Sequence, residues 1–233
     1  MSDQPSPSVI VDRARHPYRL AVVAACAGLG FVVLAMLAQQ IAFFPIDLTL
    51  TRFVQSVHAP WIDAPLMVLN RLGFPPLVDV IYGSIILVIF AAGRRREAVA
   101  LGFATLGGAG LNYLTKLIVA RPRPDPTLIA VEHHINNGSF PAGHVLNLTA
   151  FAGILCYLVA VRRTPSWHRT ALIALLVLLI ALMGLARIQS GEHWPTDVLG
   201  AYLLAVVWLA ASIRFYQWRG RRRPERLAPF AAH

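Results

Sequence analysis

One stretch of this chain, ARIQSGEHWPTD at residues 186–197, sets Arg187, Glu192, His193 and Asp197 between two long apolar runs. His193 and Asp197 are four apart, so a helical start places both on one face. An aspartate on one ring nitrogen fixes the imidazole tautomer and leaves the other nitrogen nucleophilic. Pro195 fits the first turn of such a helix. Arg187, ending the preceding run, adds a cation for an anionic substrate. Glu192 reads as solvated rim.

Two more polar stretches interrupt the apolar pattern. In KLIVARPRP, residues 116–124, Pro122 and Pro124 end a helix whose last turn carries Lys116. Arg123 then lies beyond the break, able to turn back toward Lys116 and form an oxyanion clamp, since guanidinium binds phosphate through parallel hydrogen bonds. Arg121 reads instead as a side chain snorkelling at a helix end. In GSFPAGH, residues 138–144, Pro141 suits a helix start. The N–H groups of Ala142 and Gly143 would face an anion there, and His144 is placed to give or take a proton. Two histidines and one aspartate among several cations make a poor metal site and a good anion site. No metal and no cofactor are expected.

The elements that must carry these stretches are membrane helices. Of 233 residues 57% are hydrophobic and only 14% charged, against about 25% charged in soluble domains. Six runs approach the ~20 residues a bilayer demands: Leu20–Phe44, Leu77–Gly93, Ala98–Ala120, Ala142–Val161, His168–Arg187 and Trp194–Ile213. The second is short. Residues 45–75, too polar to span, read as a surface or interfacial helix pair. The expected fold is therefore all-α and polytopic, with six transmembrane helices and a short interfacial segment between spans one and two. A cytoplasmic segment 1–19, a membrane domain 20–213 and a basic tail 214–233 complete the division. The first run is too long for a signal peptide and is expected to remain as a span. Cys26 and Cys156 fall inside spans and carry no redox or metal pattern.

Charge sets the orientation. With the N-terminus in the cytoplasm, fifteen of the 21 basic residues fall on inner segments (Arg13, Arg15 and Arg19; Arg94 to Arg96; Arg162, Arg163 and Arg169; and six from Arg214 to Arg226), as the positive-inside rule requires. The tail then reads as a topology signal and a contact for anionic membrane lipids rather than a nucleic-acid site. Arg52, Arg71, Lys116, Arg121, Arg123 and Arg187 remain outside. Lys116 is the chain's single lysine. All three polar stretches fall on the outer, periplasmic or extracellular, face of a cell (inner) membrane.

Taken together, Lys116…Arg123-Pro124, Pro141-Ala142-Gly143-His144 and Ala186-Arg187…His193…Asp197 resemble the three motifs of the type 2 phosphatidic acid phosphatase superfamily, in order and internal spacing. That superfamily includes bacterial lipid phosphatases, glucose-6-phosphatase and vanadium haloperoxidases; GEHWPTDVLGAY looks like its membrane-bound bacterial branch. The resemblance implies a metal-independent lipid phosphate phosphatase. It implies that His193 attacks phosphorus, Asp197 orients it, and His144 protonates the leaving oxygen. Lys116, Arg123, Arg187 and the Gly143 N–H would hold the phosphoryl oxygens. The implied partners are a lipid phosphate or polyprenyl diphosphate substrate and the surrounding lipids. Two positions depart from the pattern: Ala186 and Ala142 both stand where the motifs have serine. The second removes a hydroxyl donor, for which Ser139 is a candidate substitute. Alternatives are a phosphotransferase of the same superfamily and a weakly active, lipid-phosphate-binding relative.

Overall fold

The computed structural model describes residues 17–133, 135–161 and 166–221. Every regular element among them is helical: α1 Pro17–Gln40, α2 Pro45–Ser56, α3 Pro60–Leu72, α4 Leu77–Ala91, α5 Arg95–Val119, α6 Gly143–Ala160, α7 Trp167–Gln189 and α8 Pro195–Arg221. Five of these (α1, α5, α6, α7 and α8) are long and apolar enough to cross a membrane. A sixth span exists if α3 and α4, bent by 73° at their junction, count as one. Alone, α4 has 15 residues and reaches about 22 Å at 1.5 Å per residue, short of a ~30 Å hydrocarbon core.

Each span follows its apolar run to within a few residues, with two differences. The first helix stops at Gln40, and residues 41–44 lead into Pro45, which starts α2. The last helix runs through the expected boundary at residue 213 to Arg221. Residues 1–16, 162–165 and 222–233, with much of the basic pattern used for orientation, lie outside the described residues.

The bundle is built around α6, which packs against α5, α7 and α8, while α1 lies along α8. Val145, Leu146, Met183, Val198, Ala201 and Ala205 form its buried centre. Close approach depends on small residues. A Cβ on Gly200 would stand 2.4 Å from the Phe140 ring, and one on Gly143 would stand 2.7 Å from the Asn112 amide. These two glycines let the loop before α6 settle against α8 and α5. In contrast, much of α1 is exposed apolar surface suited to lipid.

The segment between spans one and two is the expected helix pair, α2 and α3. It packs on α7 and α8, burying Asp47, Thr51, Leu66 and Asn70. Two of those buried residues are polar groups that reach the centre of the candidate site.

Candidate active site

The C-terminal ends of α5 and α7 meet the N-terminal ends of α6 and α8 at one end of the bundle. Backbone hydrogen bonds join them: Ser139 N–H to the Arg121 carbonyl at 2.8 Å, Ala142 N–H to the Asp197 carbonyl at 3.1 Å, and His193 N–H to the Arg187 carbonyl at 3.3 Å. The three polar stretches of the sequence thereby become one site.

His193 occupies the turn between α7 and α8. Gly191 makes that turn, at φ +67, with its α-carbon so near the Ala130 carbonyl that a Cβ would lie 1.9 Å from the oxygen. Only glycine fits. Trp194 then precedes α8, and Asp197 reaches back to its N–H at 2.9 Å, one arm of a capping box. The same Asp197 oxygen, Oδ2, accepts from the Ser139 hydroxyl and stands 3.6 Å from His193 Nδ1. That last distance is contact rather than a hydrogen bond. Such catalytic bonds are often long without substrate and tighten when it binds.

A cation faces the other side of the imidazole. Arg123 Nη1 lies 3.5 Å from His193 Nε2 and donates to the Glu192 carbonyl at 2.7 Å. Asn137 holds the rest of its guanidinium through its carbonyl and side-chain oxygen, at 3.0 and 2.6 Å. Burial pushes His193 well below the ordinary imidazole range, and Lys116, Arg123, Arg187 and His144 push it the same way. The ring is therefore neutral at neutral pH. Lys116 Nζ is steadied by the Gly138 and Ser139 carbonyls. The His144 ring packs edge-on against Phe74, centroids 4.9 Å apart, and against Gly73.

Four sequence expectations change. Arg121 does not snorkel. It is fully buried and bonds Asp197, Asp47, Thr196 and the Ala42 carbonyl. The cause is Ala120, which adopts left-handed backbone at φ 48 directly after α5 and turns the chain inward. Glu192 is not solvated rim. Its side chain is buried, paired with Arg187 and with His133 Nδ1, the latter at 2.8 Å. Ser139 is committed to Asp197 and so does not replace a hydroxyl at position 142. The Ala142 N–H is likewise taken, by the Asp197 carbonyl. The N–H groups opening α6 that have no intrahelical acceptor are those of Gly143, His144 and Val145.

Sequence reasoning also passed over Asn70 and Phe74. Asn70 accepts from Arg187 and donates to Glu132, while Phe74 lies 5.2 Å below the Arg187 guanidinium. Ligand atoms of Glu132, His133 and Glu192 lie within 4.8 Å of one another. A cation among them would face the Arg187 guanidinium that Glu192 already holds, so the donor set suits hydrogen bonding to arginine better than a metal.

The PAP2 superfamily profile matches residues 97–221, and that interval holds every motif residue of the site. The chain belongs to the PAP2 superfamily. Among PAP2 relatives, undecaprenyl-diphosphatase BcrC of Bacillus subtilis is 29% identical over 133 residues, which is 55% of this chain and 64% of that protein. Decaprenylphosphoryl-5-phosphoribose phosphatase of Mycobacterium tuberculosis is 30% identical over 162 residues, 65% of this chain and 85% of that one. The fold matches the crystal structure of a transmembrane PAP2-type phosphatidylglycerolphosphate phosphatase from Bacillus subtilis with a TM-score of 0.72. That likeness carries 22% identity and covers 87% of this chain and 98% of the other. The apolar helices and the membrane fold neighbour make this a multi-pass, all-helical protein, and the relatives it resembles are lipid phosphate or polyprenyl diphosphate phosphatases.

Proposed function

We propose that this chain removes a phosphate from a lipid phosphate or polyprenyl diphosphate at the outer face of the cell membrane, through a phosphohistidine at His193. The observation that carries the reading is the two-sided setting of one imidazole. Asp197 stands at Nδ1 and Arg123 at Nε2, with Lys116 and Arg187 acting on the ring through their charge.

The steps balance as follows. His193 Nε2 attacks phosphorus while the bond to the leaving oxygen breaks, and His144 gives that oxygen its proton. Lys116, Arg123, Arg187 and the free N–H groups opening α6 take up the charge on the equatorial oxygens. Water, losing a proton to His144, then attacks phosphorus. The P–N bond breaks and its electron pair returns to Nε2, releasing inorganic phosphate. The arginines and lysine supply the charge stabilisation, so the scheme calls for no metal.

Two relatives named for polyprenyl-linked substrates favour that class. The basic residues assigned to the opposite end support the outer face. Purified protein in detergent is to be given polyprenyl diphosphate, phosphatidylglycerophosphate and phosphatidate. Phosphate release from at least one, lost in His193→Ala, is expected; no release from any refutes the reading. A reporter fused within residues 125–138 should be external, and a cytoplasmic signal refutes the assigned face.

A further inference from the structure

A fully buried charge cluster joins Asp197 to two residues outside the motif positions. Arg121 and Asp47 have no exposed side-chain surface, and neither does Asp197. Arg121 Nη1 donates to Asp197 Oδ1 at 2.6 Å and to Thr196 Oγ1 at 2.8 Å. Its Nη2 donates to Asp47 Oδ2 at 2.9 Å, and its Nε to the Ala42 carbonyl at 3.1 Å. Asp47 in turn accepts from the Thr196 N–H and hydroxyl, both at 2.9 Å, and from the Phe44 N–H at 3.0 Å. One guanidinium thus ties the start of α2 and the chain after α5 to the first turn of α8.

We propose that Arg121, held by Asp47, is a positioning residue that fixes the Asp197 carboxylate against His193. This rests on His193 being the nucleophile. The geometry gives each Asp197 oxygen its own task. Oδ1 belongs to Arg121, while Oδ2 takes Ser139, the Trp194 N–H and the facing imidazole. Rotation of the carboxylate would break bonds on both sides, so the oxygen facing His193 stays in place. A planar guanidinium can hold two carboxylates at fixed angles; an ammonium is a point charge and cannot. In this reading α2 belongs to the catalytic assembly, through Asp47, though it touches no substrate.

The test compares Arg121→Met, Arg121→Lys and Asp47→Asn with the parent protein on a lipid substrate. Detergent-purified protein is used, with thermal midpoints measured alongside. Arg121→Met should lower kcat by about a hundredfold, the scale of a misplaced catalytic group, with KM changed by less than about threefold. Arg121→Lys should recover only part of the loss. Asp47→Asn, nearly isosteric and therefore the variant best able to fold, should lower kcat per folded molecule, with a lowered midpoint because it breaks a buried pair. In the pair with Arg121→Met it should add nothing further, because both act through Asp197.

The pH profile separates positioning from mere structure. His193 faces Lys116, Arg123, Arg187, His144 and Asp197. Removing Arg121 leaves the Asp197 charge unopposed, favours imidazolium, and moves the acid limb of kcat/KM upward. Parent-like kcat per folded molecule, an unmoved acid limb, or full recovery by lysine would each overturn the proposal. Failure of the nucleophile assignment looks different: His193→Ala would then retain activity whatever Arg121 does.

Discussion

Arg123 Nη1 stands 3.5 Å from His193 Nε2 while its guanidinium is fixed by Asn137 and the Glu192 carbonyl. In the proposed mechanism this cation beside the attacking nitrogen is anchored from behind and would meet the phosphoryl group already in place. This preorganisation makes the roles of the two histidines separable by mutation.

His193→Ala should abolish turnover on every substrate, because it removes the proposed nucleophile. His144→Ala should retain measurable turnover of an activated aryl phosphate, whose leaving group needs no acid, while losing activity on lipid substrates. Steady-state rates on both substrate types check this. Equal residual activity of the two variants on the aryl phosphate would contradict the assignment.

The depressed pKa of His193 makes a signed prediction. Its folded value lies well below 6.5, so between the two values the unfolded chain binds the extra proton. That contribution to stability is present above the ordinary imidazole value and is lost as pH falls below it. His193→Ala should therefore lose thermal stability less steeply between about pH 6.5 and pH 5 than the parent. In the parent, the acid limb assigned to this residue in kcat/KM should fall below 6.5. Melting curves across that range and a pH–rate profile test the two halves separately.

Glu192 offers a third test. Its buried carboxylate holds Arg187, a cation proposed to bind phosphate, and His133. It therefore competes with the incoming anion for the same guanidinium. Glu192→Gln should tighten inhibition by inorganic phosphate several-fold and lower the thermal midpoint, since breaking a buried pair costs about 3–5 kcal/mol. Unchanged phosphate inhibition would show that Glu192 does not hold Arg187 back from the ligand.

The proposed clamp also bears on metals. Chelator should leave activity intact, and vanadate should inhibit by mimicking the five-coordinate phosphorus. Glu132, His133 and Glu192 form the group of described residues to watch. Loss of activity with chelator, restored by magnesium or zinc and absent in Glu132→Ala, would place an essential ion there.

What was legible in the sequence follows physical lines. Span positions were readable because bilayer thickness forces long apolar runs. The motif residues were readable because helix starts and ends carry proline and because their spacing was jointly specific. Arg121 and Glu192 were misread for a shared reason. Each closely follows a residue at positive φ, Ala120 and Gly191, and hydropathy carries no record of the direction the chain takes after such a residue. Ala120 lacks even the glycine that would mark the turn. Asp47 and Asn70 were hidden differently. On an amphipathic helix pair a polar residue reads as solvent-facing, and only the packing of α2 and α3 on α7 and α8 shows these two turned inward.

Ala142 is where the sequence departs most from its superfamily, and the structure sharpens the consequence. Both stand-ins are engaged elsewhere: the Ser139 hydroxyl on Asp197, and the Ala142 N–H on the Asp197 carbonyl. Ala142 is also the N-cap of α6, with no side-chain cap of its own. Ala142→Ser should then act in two ways. As a cap it should stabilise the protein by about 1 kcal/mol. As a donor to the phosphoryl group it should act where charge builds, raising kcat about tenfold with a smaller change in KM. The two are separable, because Ala142→Asp also caps but places a negative charge beside the anion. It should raise the midpoint and lower kcat. Ser139→Ala should be harmful in either background, since its hydroxyl serves Asp197. Were Ala142→Ser to raise the midpoint while leaving kcat unchanged, the hydroxyl would be only a cap, and the free N–H groups of Gly143, His144 and Val145 would suffice for the transition state.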